Sequence, residues 1–442
     1  MLPTFSTVTY ADWLAQVQKD LKDPDAYETL RWATPEGFTV EPYYTAEHVG
    51  TLPLADIQAA QRTQPGWFNA PAYTINAADV RAQNGVLREA IANGADALLL
   101  HVPADINLSL LLNGIKLSDT PICFAVSGDA TVFMTALRNV APYQLRGGLI
   151  CPADQSVEQV ASVLTAAEDS PQFRVIHIDG IVIHNAGATA TQELAFTLAQ
   201  LADAFDQLTE AGFSPEQLVA KTTIRLAVGT SYFLEIAKLR AMRVLLARFG
   251  AGHGLAATPF LVHAETSAFY EAAATPYTNL LRSTTEAMAA VIGGCDWLTV
   301  RPYDAVLAES VPESVGTLST GFSQRIARNV STLLLEESQL GRVADPSAGS
   351  YYVETLTHQL VETAWALFLD VEQKGGYANA AGYVREAIDA AYQAKQAAVQ
   401  QGRVLVGVTK FRHDEGGVPT PTTPTAAQAS GLPVRRLAES FE

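Results

Sequence analysis

An α/β fold built on a (β/α)8 TIM barrel, with an N-terminal extension arm and a C-terminal irregular tail, is what this sequence predicts, and three observations predict it. The chain has 442 residues and is 48% hydrophobic, which suits one large barrel core. Short apolar runs alternate with helical patterns eight times over about 280 residues, as a closed parallel barrel requires, because each parallel crossover needs its own helix. One of those helical patterns places Leu194, Leu198, Leu201, Phe205 and Leu208 at i, i+4, i+7, i+11 and i+14, a single stripe suited to packing on a barrel wall.

The elements follow in order. Residues 1–75 read as an arm and extension. Within it, Trp13, Val17 and Leu21 fall at helical spacing in the polar segment 11–22, so an amphipathic helix must rest its stripe on something, and a partner protein is one candidate. A Pro- and Tyr-rich irregular stretch leads to the barrel, expected over residues 76–411. Its strands are expected at Ala97 to Val102, Pro121 to Val126, Gly147 to Cys151, Val175 to Ile183, Thr223 to Val228, Phe260 to His263 and Trp297 to Val300, with a weaker one near Ser350 to Val353. Thr189 and Gln192 stand at capping-box spacing before the leucine stripe, and Thr275-Pro276 offers a second helix start with the hydroxyl as cap and proline at the first turn. Asp345-Pro346 and Gly349-Ser350 predict a tight turn into the eighth unit. Past the barrel, Val384 to Ala398 reads as a helix and Val404 to Phe411 as a strand-like return. Residues 412–442 form the tail, whose Gly416 to Gly431 stretch has too few large apolar groups to offset its ordering entropy and is expected to be mobile or draped over a surface.

Composition removes several function classes. A formal net charge of -17 repels polyanions, so nucleic acid is not an expected partner. Cys123, Cys151 and Cys295 form neither a disulfide framework nor a zinc set and read as free thiols of a reducing compartment. The N-terminus lacks a basic region followed by an apolar run, and the sequence contains no apolar stretch of membrane-spanning length, so a soluble cytoplasmic protein with no membrane partner is expected. G-x-S-x-G, Walker and metal-ligand motifs are missing from the sequence.

From Pro259 to Gly376 the chain carries HAETS (His263 to Ser267), PYTNLLRSTTEAMAA (Pro276 to Ala290), SQRIARN (Ser323 to Asn329) and DPSAGSYYVETLT (Asp345 to Thr357), ending in Gly375-Gly376. Together these segments resemble the substrate-binding barrel of the adenosylcobalamin-dependent methylmalonyl-CoA mutase family. The resemblance implies a TIM barrel and a place in isomerase chemistry of propionate metabolism, interconverting (R)-methylmalonyl-CoA and succinyl-CoA by a radical shift.

The same resemblance marks departures. Ile178 to Ala188 aligns without a gap to the family pattern I-S-G-Y-H-M-Q-E-A-G-A, expected on the fourth strand. Ile181 then stands at the tyrosine, Val182 at the histidine that bonds the acyl thioester, and His184 at the glutamine. An aliphatic side chain cannot donate to a carbonyl, and losing such a donor costs about 10²- to 10⁴-fold in rate. Thr299, expected on the seventh strand, replaces a second histidine, and family runs resembling G-L-S-V-A-F-D-L and T-I-Q-N-D are missing. Cobalt ligation in the family uses a D-x-H-x-x-G loop. His184 with Gly187 and His413 with Gly416 match only H-x-x-G, with Val182 and Phe411 where the aspartate belongs.

What the resemblance implies is therefore a small, noncatalytic subunit that stabilises a large catalytic mutase subunit in a heterodimer and is less stable or self-associated when isolated. On this reading no residue of the chain is catalytic, cofactor-binding or metal-binding, and adenosylcobalamin sits in the partner. The alternative is the acyl-CoA-binding chain of a split mutase served by a separate cobalamin-binding subunit. Arg435 to Glu442 resembles the start of the family's linker to the cobalamin domain. Of the remaining candidates, His263 with Glu265 on one strand face suggests an acid–base pair or a metal edge, and reads first as a hydrogen-bonded core histidine at the barrel mouth. Arg325 with Arg328 reads as a solvated or subunit-contact face before a site for CoA phosphates.

Overall fold

The computed structural model describes residues 8–23, 25–151, 155–256, 260–307, 320–413 and 431–442. Its centre is a ring of strands: β1 (Phe68–Asn69 continuing as Ala72–Thr74), β2 (Leu98–Pro103), β3 (Ile122–Ser127), β4 (Arg146–Ile150), β5 (Gln172–Arg174 continuing as Ile176–Asp179), β6 (Thr222–Val228), β7 (Leu261–Thr266) and β8 (Trp297–Thr299). Every neighbouring pair is parallel. The two divided strands close the ring. Phe68 of β1 registers with Trp297 of β8 while Ala72 registers with Leu99 of β2. On the far side Gln172 of β5 registers with Arg146 of β4, and Ile176 registers with Thr222 of β6. All seven residues of β6 are buried, as expected of a parallel strand covered on both faces.

The ring is shifted against the expected one. Its first strand lies at 68–74, inside the stretch read as extension, because its few residues carry little apolar signal. The strand expected at 175–183 is therefore the fifth and that at Trp297 the eighth. The fifth strand also stops early. Asp179 turns its carboxylate onto the Ile181 amide (3.1 Å) and starts helix α5 (Gly180–Asn185), so the apolar run Ile181-Val182-Ile183 is helical. The weak strand near Ser350 is a helix start. Ser350 accepts from the Val353 amide at 3.4 Å and caps α10 (Tyr351–Gln373), after a turn in which Gly349 adopts φ +80°. Val404 to Phe411 is a tight turn closed by one bridge between Val406 and Lys410.

Helices clothe the ring: α2 (Val80–Ala92), α3 (Ala130–Val140), α4 (Val157–Ala166), α6 (Ala190–Glu210), α7 (Tyr232–Gly252), α8 (Thr278–Ile292), α9 (Thr320–Glu336) and α11 (Ala381–Gln400). The leucine stripe of α6 is buried throughout, and Thr189 and Gln192 form the expected capping box. Each stripe residue stabilises the fold by about 1.5–3 kcal/mol relative to exposure. At the start of α8 the expected cap is replaced: the helix begins at Thr278, and the Thr275 hydroxyl donates to the Gly407 carbonyl (3.1 Å) instead. Helix α1 (Tyr10–Leu21) forms as expected with Trp13 tilted on Tyr43, and none of its residues is buried. A hairpin, Trp32–Ala33 with Thr39–Val40, joins it to the barrel.

Of the tail, residues 431–442 pack down. Leu432, Leu437 and Ala438 are buried, the Leu437 amide donates to the Phe269 carbonyl (2.8 Å), and the Arg435 amide donates to that of Asn185 (2.9 Å). Residues 414–430, with most of the expected mobile stretch, lie outside the described residues.

Candidate functional site at the barrel mouth

In a parallel barrel, functional groups are carried by the C-terminal strand ends and the loops after them. Over β5 to β8 that end is occupied by a chain of opposite charges. Arg225, in the middle of β6, reaches Asp179 at the end of β5 (2.5 Å) and Glu265 of β7 (3.3 Å). Arg301, just past β8, bonds the other Glu265 oxygen (3.1 Å) and stands 3.7 Å from Glu271. Burial alone would lower the Arg225 pKa, but Asp179 and Glu265 outweigh it and raise it. Burial pushes the Glu271 carboxyl up to about 7, with Arg301 opposing only in part.

Beneath this chain lie imidazoles kept neutral. Burial, reinforced by the Arg225 charge, pushes His177 down to about 3 and His263 well below the usual histidine range. The His263 ring nitrogen Nε2 lies 2.8 Å from the Thr299 hydroxyl, which itself donates to the Ala70 carbonyl at 2.6 Å. The single hydroxyl proton is committed to Ala70, so Nε2 of His263 must be the donor in that pair. His263 and Glu265 thus share the inward face, as strand alternation requires, but serve different partners. The mouth over β1 to β4 differs. A cavity of about 340 Å³ there is lined by Thr74, His101, Ser127 and Cys151 among others, with neither lysine nor arginine in its wall.

The segment carrying Ile181, Val182 and His184 stands beyond Asp179 on α5. Ile181 is buried and Val182 packs its hydrocarbon against the main core. His184 is buried with both ring nitrogens engaged, Nδ1 toward Glu193 (3.2 Å) and Nε2 toward Ser267 (2.7 Å). Glu193 also accepts from Lys238 (2.7 Å) and from the Ala227 amide (2.9 Å), and Lys238 reaches Glu235 at 2.6 Å. Burial would raise the Glu193 pKa, yet Lys238 and His184 together bring it below its usual value. The order Ser267–His184–Glu193 matches a nucleophile relay in outline only: Ser267 and Glu193 are wholly buried, so no substrate reaches the hydroxyl. The network ties α5, α6 and α7 to the end of β7.

The other candidates separate. Arg325 is exposed over the Phe322 ring (5.3 Å), whereas Arg328 of the same helix is buried and bonds Tyr73, so the two do not converge on one phosphate. Asp345 shapes its turn and pairs with the buried Arg240, which also bonds Glu354 at 2.8 Å. The cysteines are free, and burial pushes each thiol up to about 12. His413 is exposed, and its partner Gly416 lies outside the described residues. Sequence reasoning missed Asp179, Arg225, Glu271 and Arg301. The signal was present in Thr222 to Val228, where a single arginine interrupts an apolar strand.

Comparisons with known proteins agree on one family. The family model described as methylmalonyl-CoA mutase matches residues 138–439. The methylmalonyl-CoA mutase small subunit of Porphyromonas gingivalis is 32% identical over 92% of this chain and 70% of its own length. That of Streptomyces virginiae is 32% identical over 99% of this chain and 76% of its own length. A Rhizobium meliloti protein named methylmalonyl-CoA mutase is 31% identical over 91% of this chain and 64% of its own.

Proposed function

We propose that this chain, which belongs to the methylmalonyl-CoA mutase family, is the small, noncatalytic subunit of a heterodimeric mutase. In this reading a large subunit carries adenosylcobalamin and isomerises methylmalonyl-CoA to succinyl-CoA, and the present barrel stabilises it. One observation supports the reading most: the two positions aligned with the family's histidines hold groups with nothing to give a thioester. Val182 offers hydrocarbon, and the Thr299 hydroxyl is spent on Ala70. Around them the β5–β8 mouth is closed by its own ion pairs, and the cavity over β1–β4 has no cation in its wall for a CoA phosphate.

The donor set for cobalt does not fit this chain either. His184 has both ring nitrogens bonded inside the fold, and the residue two before it is Val182 rather than an aspartate. Cobalamin chemistry is therefore assigned to the partner. An obligate contact with that partner would bury more than about 2,000 Å², and the half-exposed stripe of α1 is the proposed contributor.

Co-expression with a large mutase subunit tests this directly. The expected result is a stable one-to-one complex that turns over methylmalonyl-CoA, while the isolated chain, with adenosylcobalamin added, does not. Turnover on mixing this chain with only a free cobalamin-binding protein would instead establish the split-mutase alternative.

A further inference from the structure

A cavity of about 870 Å³ lies off the barrel axis, beside the mouth between the hairpin after α1, the α5–α6 corner, the start of α7 and one face of α11. That size lies within the range of small-molecule sites. Its walls differ in character. Ala387, Ala391, Ala394 and Ala398 recur along α11 at i, i+4, i+7 and i+11, a smooth apolar wall roughly 16 Å long, and the Trp32 indole faces the same space.

The charged groups of this cavity are unevenly engaged. Glu36 accepts from the Thr191 amide (2.7 Å) and Glu235 is paired with Lys238 (2.6 Å), and both carboxylates act on Lys395 through space, without an ion pair to it. Two cations lack an anion in contact. Lys395 is only 7% exposed, and its ammonium meets one carbonyl, that of Ala188 at 2.6 Å, and the face of the Phe269 ring at 4.9 Å. Among the described residues no carboxylate pairs with it, and the Arg403 guanidinium has neither a hydrogen bond nor an ion pair from its side chain. The Tyr270 hydroxyl is likewise without a described partner. An ammonium buried with spare N–H groups is costly unless an anion completes its shell.

We propose that this cavity is a binding site for a free carboxylic acid with an extended apolar body, the carboxylate held by Lys395, Arg403 and the Tyr270 hydroxyl and the chain lying along the alanine face of α11 and Trp32. Burial supports the assignment from the protein side. It pushes Lys395 down to about 8, and a bound anion would reverse that shift. The inference is independent of the subunit role proposed above, since it uses neither Val182 nor Thr299.

The test is a calorimetric titration of the full chain with sodium octanoate, followed in parallel by tryptophan fluorescence. The expected result is saturable one-to-one binding with a fluorescence change that disappears in Trp32→Phe. Lys395→Met is expected to weaken binding by about tenfold or more and Lys395→Arg to preserve it, as a charge-assisted contact requires. Arg403→Ala, at an exposed position that leaves the fold intact, is expected to weaken it several-fold, and Ala391→Leu to block it by filling the alanine face along which the chain would lie. Thermal melts verify folding of each variant. Equal binding of octanol, binding indifferent to Lys395→Met, Arg403→Ala and Ala391→Leu, or no binding of octanoate at millimolar concentration would each overturn the proposal.

Discussion

Thr299 of β8 donates its hydroxyl to the carbonyl oxygen of Ala70 in β1, 2.6 Å away across the seam that closes the barrel. The Thr299 hydroxyl oxygen in turn accepts from Nε2 of the neutral His263, 2.8 Å away. A side chain aligned with a family histidine thus serves as barrel mortar. Thr299→Val, which keeps the shape and removes the hydroxyl, leaves a buried imidazole N–H and a carbonyl without their partner. The expected loss is about 1–3 kcal/mol, read from urea midpoints, with turnover of the assembled complex unchanged.

Lys238 is wholly buried between Glu193 and Glu235. Removing it strands two carboxylates. Lys238→Met is expected to destabilise the chain by about 3–5 kcal/mol, and adding Glu193→Gln to recover part of that, since one of the stranded charges is gone. Denaturation of the single and double variants measures the coupling. Additive effects would contradict the network described here.

Glu271 keeps its proton in the folded chain up to about pH 7, against an ordinary value of 4.5, because of burial. The neighbouring Glu286 is shifted in the same direction, again by burial first. Folding then takes up protons. The stabilisation is complete below the ordinary carboxyl range and lost as pH rises through the folded value. Stability from urea titration is expected to fall between about pH 5 and pH 8, and Glu271→Gln to remove roughly 2–3 kcal/mol of that fall. An unchanged slope in the variant would place the titrating group elsewhere.

Gly180 stands where β5 turns into α5, and a methyl group there would sit 2.6 Å from the Thr197 hydroxyl and 2.9 Å from the Arg225 carbonyl. Both neighbours are held, the second by the β6 backbone. Gly180→Ala is expected to cost about 1–3 kcal/mol through overpacking, and to displace Arg225 from Asp179. Loss of stability without any change in the chemical shifts of the mouth histidines would argue against that displacement.

The sequence determined the alternation of strands and helices, the capping box at Thr189, the apolar stripe of α6 and the family, because these rest on local periodicity and on contiguous residues. It also showed that Val182 and Thr299 break the family's pattern. Tertiary structure decided the rest. β1 is recognisable only through its pairing with β2 and β8, since Phe68 to Thr74 has no periodic signature of its own. Ile181 to Ile183 reads as strand by composition and is helix because the Asp179 carboxylate caps it, while Ser350 reads as strand and begins a helix. The ionic closure of the mouth was illegible for the same reason. Asp179, Arg225, Glu265 and Arg301 belong to four successive strands of the barrel wall or the residues just past them, dozens of residues apart in the chain, and charges meet by distance in space, which the order of residues does not contain.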